Sequence, residues 1–311
     1  MYSTTANSRI GIATFARWLN VPPIGLVIFL NENSHYRKFK IKKSSGGFRT
    51  IDAPDEGLKK IQRRLNGLLQ ACYNTHLPAS SHGFIKRFGE INNPSRSIHS
   101  NAQMHVGKHQ VLNLDLKDFF HSIDIYRVRE FFMHNFNTNF EAASVLAALV
   151  CHEGRLPMGA PTSPVMANLI CLPLDRQLER LARRHQLTYT RYADDLTFSG
   201  DCIEDKMLNE IKTIITNERF TINETKVRLQ ISKSKQVVTG IKVNTRTNVE
   251  RSYIKNLRAA FHDLHLHPHQ KSDLTLKRSL RGRIDYLKQV RGWDDPIHKK
   301  FHWLFEEYYK A

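Results

Sequence analysis

The chain has 311 residues, of which 41% are hydrophobic and 10% aromatic, and this composition excludes a mainly disordered protein. It carries 47 lysine and arginine residues against 29 aspartate and glutamate residues, a formal net charge of +18. Such an excess predicts a polyanionic partner, with nucleic acid favoured over an anionic membrane surface or a mere surplus of solubilising lysine. The length fits two or three lobes that share contacts.

The apolar segments and the cysteines predict where the protein resides. The apolar runs at 21–30 and 142–151 are too short to cross a bilayer, so we expect a cytoplasmic protein with no membrane partner. The cysteines lack the spacing of a zinc site or a disulfide framework. We therefore expect buried thiols at Cys72, Cys151, Cys171 and Cys202.

In chain order, the first predicted elements are short helices and a hairpin. A helix interrupted by two prolines predicts an accessory segment over 1–35. Alternation around Gly46 and Gly47 predicts a basic β-hairpin over 36–51. A helix predicted over 56–73 has one apolar face and another face that carries lysine and arginine.

Further along the chain, strands and helices are predicted over 111–116, 141–150, 189–199 and 236–243. The segment 189–199 has the pattern of two strands around an acidic turn. From residue 253 the pattern is helical and basic, which predicts either a duplex-gripping lobe or an amphipathic helix packed on the core. Hairpins mixed with helices predict an α+β fold and not a doubly wound sheet.

Three aspartates suggest a metal site. Asp194 and Asp195 occupy the tip of a predicted hairpin, and Asp115 ends an apolar strand. Adjacent aspartates are often only turn formers, but a carboxylate on a buried strand requires a cation or strong donors. Hard oxygen ligands favour magnesium, and phosphoryl transfer commonly uses two such ions.

Four motifs, in order, resemble those of reverse transcriptases. The segment 114–120 resembles the first palm motif of that family, and 192–195 resembles its catalytic tetrad, Tyr-Ala-Asp-Asp. The segment 156–164 resembles the loop that packs against the incoming nucleotide and template, and 222–226 resembles the motif that bears the palm lysine. Each motif alone is weak, but four in the family's order make a chance match improbable.

The resemblance implies a right-hand polymerase fold with fingers, palm and thumb. An accessory segment would occupy 1–35, the fingers 36–108, the palm with a fingers insertion 109–245, and a basic helical thumb 246–311. The implied activity is RNA-directed DNA polymerisation from dNTPs with two Mg²⁺ ions. In that activity a primer hydroxyl attacks the α-phosphate in line.

The same resemblance assigns residues to the metal ions and the triphosphate. Asp115 and Asp194 would bridge the two ions, Asp195 would support them, and the backbone carbonyl of Leu116 would add a ligand. In the fingers, two basic residues occupy the family's positions for triphosphate contacts, although they also suit an ordinary basic hairpin: Arg49 and Lys43.

The remaining nucleotide contacts surround the sugar and the leaving group. Phe120 takes the position of the aromatic residue that excludes a 2′-hydroxyl, with a place in the core as its alternative. Met158, followed by Gly159, stands where the family usually has glutamine. Lys226 would protonate the departing pyrophosphate, with an ordinary surface charge as its alternative.

Two short patterns resemble bacterial retron reverse transcriptases in particular, Asn-Ala-x-x-His at 101–105 and Val-Thr-Gly at 238–240. This resemblance implies a polymerase bound to its own structured noncoding RNA, part of which it copies into single-stranded DNA from an RNA 2′-hydroxyl. It also implies antiphage defence with an effector protein encoded nearby. The predicted RNA-binding residues are Asn101, His105, Arg281, Arg283 and Lys288.

Two alternatives remain at this point. A group II-like or diversity-generating reverse transcriptase would use the same chemistry with another RNA and primer. A catalytically idle RNA-binding scaffold would explain the basic charge, but three intact clustered aspartates argue against it.

Overall fold

The computed structural model describes residues 9–31, 35–42, 46–85 and 96–309. The helices are α1 (Ile12–Leu19), α2 (Pro23–Asn31), α3 (Glu56–Thr75), α4 (Ile98–Gln103), α5 (Ile125–Asn135), α6 (Phe140–Val150), α7 (Ser163–Ile170), α8 (Leu172–Arg184), α9 (Asp205–Asn217), α10 (Arg251–Leu266), α11 (Leu274–Arg291) and α12 (Pro296–Tyr309). The strands are β1 (Tyr36–Lys42), β2 (Phe48–Pro54), β3 (Gln110–Asp115), β4 (Thr188–Tyr192), β5 (Asp195–Gly200), β6 (Arg228–Ile231), β7 (Val237–Val238) and β8 (Ile241–Lys242). Short 3₁₀ turns lie at Glu224–Lys226 and Pro268–Ser272.

The N-terminal helices are part of the main hydrophobic core. Phe15 and Leu19 of α1 and Leu26 of α2 are fully buried in the same cluster as Leu114 of the palm strand β3. The described part of the segment 1–35, which the sequence predicts to be accessory, therefore contributes to the main hydrophobic core.

The fingers hairpin and the helix after it form as predicted. Strands β1 and β2 pair antiparallel from Tyr36 opposite Pro54 to Lys42 opposite Phe48. Asp55 caps α3, because its carboxylate accepts a hydrogen bond from the backbone N–H of Leu58 at 2.7 Å. The apolar face of α3 is buried in the main core.

The predicted palm contains a four-stranded antiparallel sheet in the order β4-β5-β3-β6, the palm sheet. Side chains alternate between the two faces of a strand, so β3 contributes to two separate cores. Leu112 and Leu114 lie in the main core, whereas Val111 lies in a second core. Asn113 and Asp115 share the face of Val111 and follow it toward the end of the strand.

The second core joins the C-terminal helices to the β7–β8 hairpin. Val238 and Ile241 of the hairpin are fully buried beside Leu257 of α10, Leu287 of α11 and Phe301 of α12. The hairpin, which the sequence assigns to the palm, thus shares its core with the thumb helices.

The cysteines differ in exposure. Cys151 and Cys171 are buried and Cys72 is half-buried. The prediction of a buried thiol is wrong for Cys202, which is exposed because it lies in the loop after β5 and not on the core side of an element. None of the helices in the described ranges has the length and apolar character needed to span a membrane.

Candidate active site

The three aspartates lie together at one end of the palm sheet. Asp115 and Asp195 are opposite each other on the paired strands β3 and β5. A two-residue turn, Ala193 and Asp194, joins β4 to β5. The backbone carbonyl of Asp194 accepts a hydrogen bond from the backbone N–H of Leu116 at 3.0 Å, which fixes the turn against the end of β3.

This turn has an unusual backbone. Ala193 adopts a φ of 58°, the left-handed region that a two-residue hairpin turn requires. The loop that contains Gly83 packs against it so closely that a Cβ atom at Gly83 would lie 2.7 Å from the backbone nitrogen of Ala193. A glycine at this position therefore allows the close contact between loop and turn.

A buried ion pair lies directly beneath the turn. The guanidinium of Arg191 donates to both carboxylate oxygens of Asp175, at 2.8 and 2.6 Å, and both side chains are fully buried. Arg191 also donates to the side-chain oxygen of Asn168 at 3.0 Å and to the carbonyl of Ala193 at 3.1 Å. The hydroxyl of Tyr189 donates to Asp175 at 2.9 Å. The network connects helices α7 and α8 to the backbone of the aspartate turn.

Burial and neighbouring charges raise the pKa values of Asp194 and Asp195. Burial raises the pKa of Asp194, the charge of Asp115 raises it further, and the charges of Lys226 and Arg49 act in the opposite direction. Partial burial and the charges of Asp194 and Asp115 raise the pKa of Asp195 to about 6. The ammonium of Lys226 donates to Oδ1 of Asp115 at 2.7 Å, which raises the pKa of the lysine. The site thus has an excess of negative charge that a cation would relieve.

Replacing Asp195 by asparagine is expected to raise the melting temperature of the chelator-treated protein at neutral pH. The pKa of this carboxyl rises from 3.8 to about 6 in the fold, so its ionisation opposes folding. The loss of stability caused by ionised Asp195 is complete above its pKa in the folded protein. It vanishes below 3.8, where the carboxyl is protonated in both the folded and the unfolded protein. Thermal unfolding of both proteins across this pH range tests the expectation. A melting temperature of the variant at or below that of the wild type at neutral pH would contradict it.

The fingers hairpin contacts the loop that was predicted to pack against the nucleotide. The backbone N–H of Asp52 on β2 donates to the carbonyl of Met158 at 2.9 Å. Gly159 has a φ of 142°, and a Cβ atom there would lie 2.6 Å from the carbonyl oxygen of Asp52. Arg49 is exposed on the same strand, close enough for its charge to affect Asp194. Lys43 lies outside the described residues.

The two adjacent phenylalanines after Asp115 have different surroundings. Phe119 is buried and packs on Phe220, with ring centroids 5.9 Å apart. Phe120 is half-buried, and its ring lies 6.0 Å from that of Phe84. Phe84 in turn lies 6.4 Å from Tyr192 of the aspartate hairpin. Of the pair, Phe120 is the less buried residue, and Phe84 connects its ring to Tyr192 of the aspartate hairpin.

The predicted RNA-binding residues Asn101 and His105 are both fully buried, and direct RNA contact by their side chains conflicts with this burial. The two ring nitrogens of His105 hydrogen-bond with Ser199 Oγ at 2.6 Å and Thr190 Oγ1 at 2.7 Å. Burial lowers the pKa of this histidine to about 3, so it is neutral. Asn101 donates to Thr239 Oγ1 at 3.5 Å. The Asn-Ala-x-x-His pattern therefore connects the palm sheet to the β7–β8 turn.

The predicted thumb cations are all on α11, and each lies over an aromatic ring. The guanidinium of Arg283 lies over the ring of Tyr253, and the ammonium of Lys288 lies over Trp293 at 4.3 Å from the ring centroid. Arg281 lies over the ring of Phe305, and it is also 3.4 Å from Asp285 and 3.5 Å from Glu306. Within the described ranges, Arg281 is therefore the one of these three cations that is paired with carboxylates.

Comparison with known families matches residues 41–269 to the family described as reverse transcriptase (RNA-dependent DNA polymerase). The retron Ec86 reverse transcriptase of Escherichia coli is 31% identical to this chain, over 88% of this chain and 79% of that protein. The chain belongs to the retron reverse transcriptases. The retron Mx65 reverse transcriptase of Myxococcus xanthus is 37% identical over 82% of this chain, which spans 61% of that relative's length.

The fold of this reverse transcriptase also resembles a solved polymerase structure. The apo telomerase of Candida tropicalis aligns with a TM-score of 0.50 at 11% identity, over 88% of this chain and 61% of that one. At this identity the likeness concerns the fold alone. Together with the family match it confirms the predicted α+β polymerase fold.

Reverse transcriptases generally use divalent metal ions, and the donor set of this site is of the type such ions bind. Over the described ranges, no three His, Cys, Asp or Glu side chains are already arranged around a common metal position. Instead, the Lys226 ammonium lies against Asp115, the place where a positive charge is required. Burial, together with the charges of neighbouring carboxylates, raises the pKa values of Asp194 and Asp195, and a bound cation would favour their charged forms. The residues therefore fit a divalent cation by their chemistry.

Proposed function

We propose that this retron reverse transcriptase copies part of a structured noncoding RNA into single-stranded DNA that remains linked to the RNA. The observation that carries the proposal is the position of Asp115, Asp194 and Asp195 at one end of the palm sheet in a member of this family. The RNA, its RNA–DNA product and dNTPs are the proposed partners. An effector protein encoded nearby and a role in antiphage defence in the cytoplasm complete the proposal.

The carboxylates of Asp115, Asp194 and Asp195, together with the carbonyl of Leu116, would hold two Mg²⁺ ions. When bound, such ions activate the attacking hydroxyl and stabilise the leaving pyrophosphate. The primer oxygen forms a bond to the α-phosphorus. The bond between the α-phosphorus and the oxygen that bridges it to the β-phosphorus breaks, and the hydroxyl proton passes to solvent. The chain's own contribution is to hold these groups in line on a rigid sheet.

Cationic side chains on either side of the aspartates would bind the triphosphate. Arg49 lies on the exposed strand of the fingers hairpin and, with Lys43, would neutralise the phosphates. Lys226, which donates to Asp115, would give a proton to the pyrophosphate as it leaves. The loop containing Met158 and Gly159 would form the wall behind the base, because it is held against β2.

Replacing Phe120 by valine is expected to increase ribonucleotide incorporation relative to deoxyribonucleotides. The half-buried ring lies against Phe84, which in turn lies near Tyr192 of the aspartate hairpin, and its bulk would exclude a 2′-hydroxyl. The ratio of kcat/KM for dNTP and rNTP on one RNA template measures this effect. Phe119→Val is the matched control, since that ring is in the core. An unchanged ratio in Phe120→Val would assign Phe120 to the core as well.

RNA binding would combine the +18 net charge with the cations of α11, Arg281, Arg283 and Lys288. Affinity is expected to fall with salt, with a log–log slope of about −0.7 to −0.9 per phosphate neutralised. Substituting Arg283 and Lys288 by glutamine should reduce the magnitude of this slope by about 1 for each cation that binds a phosphate. Titrations of the RNA at several salt concentrations measure the slope. An unchanged slope would place these two residues away from the RNA.

The polymerase activity itself is tested by extending a DNA primer on an RNA template with dNTPs and Mg²⁺. Incorporation that chelator abolishes and Mg²⁺ restores supports the proposal. RNA binding without incorporation, in every template and metal combination, would instead support an idle scaffold. The DNA made in cells with the flanking noncoding sequence then separates a retron from other reverse transcriptases by its junction with RNA.

A further inference from the structure

A cleft of about 410 Å³ lies between the aspartates and the β7–β8 turn. Its lining includes Asp115 and Asp195 on one side, Thr239 and Gly240 on the other, and Arg228 at the start of β6. The cleft therefore borders the carboxylates that would hold the reacting groups.

Arg228 has a defined position beside this cleft. Strand β6 pairs with β3 so that Arg228 lies opposite Asn113. Asn113 precedes Asp115 by two residues, so the side chains of both lie on the same face of β3. The next residue of β6 on that face, Gln230, donates to Asn113 and to the carbonyl of Val237. These bonds hold β6 against both β3 and β7, so the backbone beneath Arg228 is fixed.

The guanidinium of Arg228 is an available cation. Its side chain is exposed and makes no ion pair or side-chain hydrogen bond with any residue in the part of the chain that the structure describes, although its charge is close enough to act on Asp195. Lys226, the other cation that lines the cleft, is already bonded to Asp115. The side-chain amide of Asn113 is likewise used, since it donates to Thr197 and accepts from Gln230.

The proposed priming reaction creates a specific demand for such a cation. A DNA primer attacks with its terminal 3′-hydroxyl, so its 3′ oxygen carries no phosphate. A ribonucleotide that attacks through its 2′-hydroxyl within an RNA chain keeps its 3′-phosphate, on the neighbouring carbon. That phosphate must therefore enter the site beside the attacking oxygen, next to three carboxylates that repel it.

We infer that Arg228 binds the 3′-phosphate of the priming ribonucleotide and so allows the 2′-hydroxyl to reach the aspartates. This inference rests on the proposed function, because it supplies the phosphate contact that RNA-linked initiation requires. A guanidinium matches two phosphate oxygens with two parallel N–H donors, which a single ammonium does not. Elongation from a DNA 3′ end presents no such phosphate.

The test compares two activities of the full chain in the Arg228→Gln variant. One is the amount of branched RNA–DNA per enzyme after coexpression with the flanking noncoding sequence. The other is extension of an annealed DNA primer on an RNA template. We expect the ratio of branched product to extension to fall about ten- to hundredfold, the effect of losing a hydrogen bond to a charged group. Arg228→Lys should recover part of the ratio.

Lys233→Gln is the matched control, because Lys233 is an exposed cation in the turn after β6 and does not line the cleft. Its ratio should equal that of the wild type. An unchanged ratio in Arg228→Gln, including a parallel loss of both activities, would overturn the inference and leave the proposed function standing. Wild-type DNA that lacks any junction with RNA would overturn both.

Discussion

The Asp194→Asn variant is expected to lose nucleotide addition by at least about a thousandfold while it retains the fold and RNA binding. The substitution removes a charge from the proposed metal ligands but leaves the side-chain volume and the backbone bond from Leu116 to residue 194 intact. Initial rates of dNTP incorporation at saturating Mg²⁺ measure the loss. Circular dichroism and RNA titration establish that the folded protein is otherwise comparable.

The same loss is expected for Asp115→Asn, and the double variant should be no worse than either single variant. Ligands that hold one pair of ions act as a unit, so their effects do not add. Asp201→Asn is the matched control, because Asp201 is an exposed aspartate just beyond β5. Wild-type incorporation by Asp194→Asn in Mg²⁺ would refute the assignment of the site.

The Arg191→Met variant is expected to lower the free energy of unfolding by about 3–5 kcal/mol, because it leaves the Asp175 carboxylate buried without its partner. Both side chains of the pair are fully buried, so no solvent replaces the missing bonds. The variant also lacks the donor to the carbonyl of Ala193, and polymerase activity should fall as the aspartate turn loosens. Urea unfolding monitored by fluorescence gives the free energy.

Two comparisons make the Arg191 result specific. Lys212→Met removes the exposed pair between Lys212 and Glu224 and should cost only about 0–1 kcal/mol. Combining Arg191→Met with Asp175→Leu removes the orphaned charge and should recover much of the stability. An Arg191→Met variant as stable as Lys212→Met would show that the buried pair does not support the turn.

Much of the fold follows from local sequence patterns. Alternation and paired glycines predicted the fingers hairpin, and the structure confirms it as β1 and β2. The apolar run before Asp115 predicted a buried strand, and the acidic turn between two alternating segments predicted β4 and β5. These patterns succeed because strand periodicity and turn chemistry act over a few residues.

Other features depend on contacts between separate helices and strands, which local sequence patterns do not predict. Arg191 and Asp175 are 16 residues apart, on a strand and a helix, and only the packing of α8 on the sheet brings them together. Neither residue stands out in the sequence, because α8 carries several other charged residues and β4 is mixed polar and aromatic. The Asn-Ala-x-x-His pattern predicted RNA contact, whereas burial of Asn101 and His105 gives both side chains a structural role that the pattern alone does not indicate.

The role of position 158 illustrates the same limit. The motif has methionine where the family usually has glutamine, but the contact that the structure provides uses the backbone carbonyl of Met158. The adjacent Gly159 is required by its close approach to Asp52. Neither contact depends on the side chain that distinguishes this chain from the family pattern.

The most direct test of RNA-linked synthesis is the chemical nature of the 5′ end of the DNA that the enzyme makes. The protein is expressed with its flanking noncoding sequence, and the nucleic acid that copurifies is treated with RNase and with a debranching nuclease. We predict DNA that keeps a ribonucleotide joined through a 2′–5′ linkage until the debranching step. DNA with a free 5′ end before debranching, in cells that lack trimming nucleases, would contradict RNA-linked synthesis by this enzyme.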